Sequence, residues 1–179
     1  MITSIDHTLF HFINQSIANP LLDAVCPILR NRFTWLPFYI IGGSWVLYKY
    51  RLNGLWILLT IAITILLSDQ FSNLIKMIVH RARPCHTEGV RILVACSDTY
   101  SFTSNHAANH FALATFLTLL FCHKRWVAYV LFLWASLVCF SQIYVGIHYP
   151  ADIAAGALLG AGIGAIVYNV FERIVDVDI

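Results

Sequence analysis

Three short stretches of this chain carry residue types whose spacing could do chemistry: Lys76-x6-Arg83-Pro84, Thr103-Ser104-Asn105-His106, and Ser141-Gln142-x5-His148-x3-Asp152. Each lies at the end of a long apolar run. Between them they hold two cations, hydroxyls, two histidines and a carboxylate. Cations and hydroxyls suit an oxyanion. A carboxylate on one imidazole nitrogen fixes the tautomer and leaves the other nitrogen free to attack. A second histidine can deliver and remove a proton. The chemistry this set would support is removal of a phosphoryl group by way of a histidine.

Each stretch also has a plainer reading. Asp69, Asn73, Lys76, His80 and Arg83 follow steps of four, three, four and three, which at about 3.6 residues per turn places them on one helix face. A charged residue inside a membrane span costs ~2.5–3.5 kcal/mol, so such a stripe should face a bundle interior or cavity. The alternative is that Lys76 and Arg83 snorkel to lipid headgroups. Pro84 disfavours helical geometry at Arg83, so the helix should end there. Ser104 or Asn105 could simply cap the next helix, although a helix N-terminus also offers N–H groups to phosphate. His106 would stand within a turn of that anion site, and His110, one turn further on, is assigned to packing. In the third stretch Pro150 suits a first helical turn. His148 then precedes the helix and Asp152 lies in its first turn, within reach of the imidazole. The plainer reading is a capping Asp beside an interfacial His.

The elements that must position these residues are apolar. Of 179 residues, 59% are hydrophobic and 11% charged, against roughly 25% charged in soluble domains, and mean hydropathy is +0.74. The expected fold is all-α, a polytopic membrane helix bundle forming one domain over residues 1–179. Runs 33–50, 54–80, 104–122, 126–145 and 150–171 give five clear spans, since crossing takes ~20 residues. Residues 3–30 mix apolar and polar groups and read as interfacial or partly inserted helices, with a sixth span as the alternative. The connections 51–53 and 123–125 are short and suit antiparallel neighbours; the long loop is 84–103. Gly156, Gly160 and Gly164 recur every four residues, the spacing that lets membrane helices pack closely. Residues 1–16 contain Asp6 and lack a basic leader, so no cleavable signal is expected there. The net charge of +2 is too small to imply nucleic acid.

Counting spans puts the ends of all three stretches on one side of the membrane, whichever way the chain inserts. With Lys49, Arg51, Lys124, Arg125 and Arg173 inside, the positive-inside rule is met and that side is the exterior; Arg30, Arg32, Arg81, Arg83 and Arg91 oppose the vote. Cys26, Cys122 and Cys139 read as free thiols. Cys85 and Cys96 flank the polar loop, where either a disulfide or two thiols fits the sequence; a disulfide would need an oxidising compartment.

Taken together, the stretches resemble the signature of the phosphatidic acid phosphatase type 2 family: Lys-x6-Arg-Pro, Pro-Ser-Gly-His, and Ser-Arg-x5-His-x3-Asp. The resemblance covers about residues 76–152, with spacing matched inside every motif. It implies a bundle of typically six membrane helices and a phosphohistidine mechanism without metal or other cofactor. It further implies that His148 is the nucleophile, Asp152 orients it, and His106 protonates the leaving oxygen and later activates water. Lys76, Arg83 and Ser104 would hold phosphoryl oxygens, with Ser141, Gln142 and Asn105 completing the phosphate-binding set. Three positions depart from the pattern. Thr103 replaces Pro, Asn105 replaces Gly, and Gln142 replaces Arg, removing a cation that Arg81 or Arg91 could supply instead.

The expected activity is hydrolysis of a membrane-lipid phosphate or diphosphate ester at the outer, periplasmic face of a bacterial inner membrane. Candidate substrates are undecaprenyl diphosphate, phosphatidylglycerophosphate, phosphatidic acid and a lipid A phosphate, with a prenyl diphosphate or envelope lipid favoured. Two other classes compete: a lipid-phosphate binder that has lost catalysis, motivated by Gln142, and a metal protein or transporter using His80, His86, His106, His110 and His148, whose spacing matches no compact zinc motif. The partners implied are the lipid substrate and the bilayer; oligomeric state is left open.

Overall fold

The computed structural model describes residues 2–122 and 124–175, so Met1 of the leading segment and His123 of the 123–125 connection lie outside the described residues. The chain runs through α1 (Ile2–His11), a π-helical turn (Phe12–Ser16), α2 (Pro20–Leu29), α3 (Arg32–Val79), a short 3-10 turn (Pro84–His86), α4 (Asn105–Leu120), α5 (Arg125–Tyr144) and α6 (Pro150–Ile174). Among the described residues there is no strand. The all-α reading holds.

Helix α3 is two arms rather than one rod. Arg51 leaves helical geometry with φ 51° and ψ −118°, and the chain doubles back. The Gly54 backbone lies so close to the first arm that a Cβ there would stand 2.6 Å from the Val46 carbonyl oxygen, while Gly43 faces Leu58. Residues 32–50 and 52–79 thus pack antiparallel, matching the two apolar runs read from the sequence. The second arm stops earlier than expected. It ends at Val79, with His80 in the left-handed region at φ 51°. Arg83 is therefore not on the helical stripe with Lys76. Pro84 holds it extended at φ −77°, ψ 151°, and the freed segment can turn two arginines toward separate partners.

Among the described residues three helices, α3, α5 and α6, are long and apolar enough to cross a membrane, and only 17–33% of their most apolar windows is buried inside the protein. Large side chains such as Ile41, Met77, Leu133 and Leu158 point outward, as a lipid-facing surface requires. At ten residues each, α1 and α2 are shorter than the ~20 residues a crossing needs. They dock instead on the rest of the protein. The buried Asn14 amide donates to the carbonyls of Arg91 and Tyr144, both at 2.8 Å. Asn19 caps α2 by accepting from the Leu22 N–H at 3.0 Å, and the Tyr144 hydroxyl donates to Asp23 at 2.6 Å.

The tightest joint is α4 against α6. Gly156, Gly160 and Gly164 lie on the carbonyls of Ser104, Ala108 and Ala112, where an added Cβ would stand 2.6, 2.0 and 2.4 Å from oxygen. This is close small-residue packing of the membrane kind. It matters for the site because α4 begins beside His106 and α6 beside His148. Gly160→Ala should therefore lower stability by about 1–3 kcal/mol through overpacking. Gly162→Ala, whose Cβ would meet nothing within 4 Å, should not. Thermal unfolding of the two variants in detergent checks this.

Candidate active site

The C-terminal end of α3, the N-termini of α4 and α6 and the C-terminal end of α5 meet at one end of the bundle, around a cavity of about 300 Å³. Its lining includes Lys76, Arg83, Asn105, His106, Gln142 and His148 from the three stretches. The loop before α4 adds Ala95, Ser97 and Thr99, and the α2–α3 link adds Arg30. No carboxylate lines the cavity among the described residues. Among the described residues the wall holds three cations and no counter-charge, a lining of the kind that suits an anion.

His148 is buried, 3% exposed, and its two nitrogens have different neighbours. Nε2 lies 3.1 Å from Arg83 Nη1. A guanidinium has only donors, so Nε2 must carry the lone pair and Nδ1 the proton. Nδ1 lies 3.4 Å from Asp152 Oδ2 and 3.3 Å from Ser101 Oγ. Burial pushes the imidazole down to about 4; the Asp152 hydrogen bond opposes that fall and Arg83 adds to it. The ring is neutral across the physiological range, with its free electron pair on the side of the cations.

Asp152 is fully buried and saturated with donors. It accepts from Ser101 Oγ at 2.5 Å, the Tyr149 N–H at 2.9 Å and Arg81 Nη1 at 2.8 Å. Arg81 also reaches Asp6 at 2.5 Å, and Asp6 accepts the Ala151 N–H at 2.8 Å. Arg81 therefore serves the carboxylates behind His148. Arg91 pairs with Asp23 at 2.7 Å. Neither lines the cavity, so the expectation that one of them replaces the missing arginine is corrected: the cation beside Gln142 is Arg30, whose Nε donates to Gln142 Oε1 at 3.4 Å.

The other cations are held by neutral acceptors. Lys76 Nζ donates to the carbonyls of Ser101, at 3.1 Å, and Thr103. Arg83 donates from Nε to the Thr99 carbonyl at 2.7 Å and from Nη2 to its hydroxyl at 2.9 Å. Asn105 lines the cavity but is occupied: its amide donates to Asp69 at 2.7 Å and Asn73 at 2.8 Å. Ser104 and Ser141 stay outside the lining. Ser104 Oγ caps α4 through the Ala107 N–H at 3.5 Å, and Ser141 Oγ donates to the Val138 carbonyl at 2.6 Å. Sequence reasoning missed Arg30, Ser101 and Thr99 as site residues, and Asp6 as a support. No spacing pattern joins them to the motifs.

Among the described residues the histidines form no grouping of their own that could share a metal ion. Among the described residues the metal-ligand grouping is Cys85, His86 and Cys96, and the two cysteines form a disulfide with a Cα–Cα distance of 6.1 Å. That bridge settles the alternative the sequence left open and ties down the loop carrying Ala95, Ser97 and Thr99.

Residues 53–176 match the model of the PAP2 superfamily. The chain belongs to that family. Over 97% of its length it is 32% identical to the lipid A 4'-phosphatase of Bacteroides thetaiotaomicron, covering 80% of that protein. It is 29% identical over 95% of its length to the lipid A 4'-phosphatase of Porphyromonas gingivalis, covering 74% of it. The transmembrane PAP2-type phosphatidylglycerolphosphate phosphatase of Bacillus subtilis superposes with a TM-score of 0.75 at 26% identity, covering 97% of this chain and 88% of the other. The protein is a phosphatase, and an integral membrane one.

Two outcomes follow from the site's structure. In histidine-labelled protein, NMR titration should show the His148 ring as the Nδ1–H tautomer, still neutral at pH 5, where an ordinary histidine of pKa ~6.5 is protonated. Opening the disulfide with Cys85→Ser and Cys96→Ser should cost about 2–3 kcal/mol, read by thermal unfolding, because the bridge closes a loop of sequence separation 11.

Proposed function

We propose that the protein is a lipid phosphatase of the bacterial inner membrane that removes a phosphate from a lipid A headgroup at the periplasmic face through a phosphohistidine. The observation that carries the reading is the His148 Nε2 electron pair, set beside Arg83 in a cavity lined, among the described residues, by cations and no carboxylate. In this scheme Nε2 attacks phosphorus. The N–P bond forms as the P–O bond to the lipid breaks, and His106 gives its proton to the departing oxygen. His106 then takes a proton from water, which attacks phosphorus, breaks the N–P bond and releases inorganic phosphate. Asp152 and Ser101 hold the Nδ1 side of His148. Lys76 and Arg83 neutralise the phosphoryl oxygens, and positioning with charge neutralisation is what phosphoryl transfer chiefly needs. Ser104 acts by fixing the start of α4.

The choice of lipid A rests on the two relatives of that name, both matched over most of their length. It sits within the envelope-lipid class expected from the sequence. The membrane side is supported by Lys49, Arg51, Lys124, Arg125 and Arg173 at the end of the helices away from the cavity, and by the disulfide, which persists in oxidising compartments. The reading takes the whole chain as one phosphatase domain, since α1 supplies Asp6 behind His148 and the α2–α3 link supplies Arg30 to the cavity.

The test is phosphate release by detergent-purified protein in EDTA from four lipids: lipid A bearing both phosphates, phosphatidylglycerophosphate, undecaprenyl diphosphate and phosphatidic acid. Release should be fastest from lipid A, with mass spectrometry locating the loss at the 4' position. It should fall by at least about 1,000-fold in His148→Ala, and acid-labile phosphate should be trapped on His148 in the wild type. Full activity in His148→Ala would sink the mechanism; faster release from another lipid would reassign the substrate.

A further inference from the structure

Arg30 lies far from the three motifs in sequence yet lines the same cavity as Lys76, Arg83, His106 and His148. Its position is built. The Arg30 N–H closes α2 on the Cys26 carbonyl at 3.2 Å, and Cys26 is fully buried against the cluster of Tyr144 and Val145. Asn31 then caps α3 by accepting the Phe33 N–H at 3.0 Å. Trp35 Nε1 donates back to the Leu29 carbonyl at 2.7 Å, with its ring edge-on to Trp134 of α5 at 5.6 Å. The link is thereby fastened on both sides of Arg30.

The side chain has no carboxylate partner among the described residues. It shares the cavity wall with Arg83 and His106. Among the described residues the side chain's hydrogen bond is Nε to Gln142 Oε1, which leaves both Nη groups for another acceptor. Gln142 is 1% exposed, and its Nε2 meets no partner among those residues. An arginine at 142 would add a further guanidinium to a pocket that already holds two. A glutamine offers an acceptor to Nε and orients the fork of Arg30 without adding charge.

We propose that Arg30 binds the substrate phosphate, supplying from the α2–α3 link the cation that the family pattern carries at position 142, with Gln142 as its positioning residue. This rests on the phosphatase reading of the same cavity. The two are separated by measuring orthovanadate binding, a phosphoryl-transfer mimic, beside turnover. Arg30→Gln should cut kcat/KM about 100-fold, the scale for losing one oxyanion donor, and weaken vanadate binding at least about tenfold. Arg30→Lys should recover part of both. Gln142→Arg alone should impair the enzyme by crowding guanidinium against guanidinium. Combined with Arg30→Gln it should bring activity back to within about tenfold of wild type, which a merely structural role for Arg30 would not produce.

A fold-independent arm uses wild-type protein: vanadate should protect Arg30 from phenylglyoxal, read by peptide mass spectrometry. Vanadate affinity within about twofold of wild type in Arg30→Gln, equal labelling of Arg30 with and without vanadate, or no vanadate binding by the wild type would each overturn the inference. Arg30-dependent vanadate binding without release of phosphate from any lipid would uphold it and overturn the hydrolase reading instead.

Discussion

One buried carboxylate organises this end of the protein. Asp152 takes donors from Arg81, Ser101 and its own helix start at Tyr149, and its carbonyl receives the Ser104 N–H at 3.1 Å. A charge removed from water is tolerable only when paired and hydrogen-bonded, so satisfying Asp152 forces four chain segments together. Arg81 extends the demand, because it also bonds Asp6 and so draws α1 onto the start of α6. The result is a segregation of charge. The carboxylates sit behind His148 with Arg81 between them, and among the described residues no acid joins the cations that line the cavity. In the proposed reaction an approaching phosphate is attracted by Lys76, Arg83 and Arg30, while Asp152 acts through the imidazole it holds.

The three departures from the family pattern each meet a partner in an earlier element. Thr103 Oγ1 pairs with Ser72 Oγ at 2.8 Å. Asn105 donates to Asp69 and Asn73, and Asn109 adds a longer contact to Asp69 at 3.4 Å. Asp69 is a carboxylate within an apolar helix, an expensive placement unless it is provided for, and the amides of Asn73, Asn105 and Asn109 provide for it. Gln142 meets Arg30. The substitutions thus read as exchanges of partner between helices, with α3 and the α2–α3 link taking up what the motifs relinquish.

The apolar runs, the small-residue stripe on α6 and the pairing of His148 with Asp152 were legible in the sequence because each rests on a local rule: span length, a four-residue repeat, one helical turn. What was not legible depends on contacts between distant residues. Asp6 reaches Arg81 across 75 positions and Arg30 reaches Gln142 across 112. The segment around Asp6 and Arg30 mixes polar and apolar residues with no clean period, so nothing marks either as inward-facing. The end of α3 was misplaced for a related reason. The four-three repeat continues through Arg83, but the chain leaves the helix at His80, where Arg81 and Arg83 gain tertiary partners that a continued helix could not offer.

Those partners also explain how a cluster of cations is kept in a half-buried pocket. Lys76 and Arg83 spend donors on the carbonyls of Ser101, Thr103, Thr99 and Ile147, oxygens that carry partial rather than full charge. A hydrogen bond from a charged group is worth about 1.5–3 kcal/mol, enough to offset part of the desolvation without neutralising the charge. An acid in the same place would satisfy the cations more completely and compete with the substrate for them. Carbonyl acceptors hold the cations in position and leave their charge uncompensated for the proposed phosphate. The disulfide-tied loop before α4 therefore works both as a wall of the cavity and as the set of weak ligands that holds the proposed anion site.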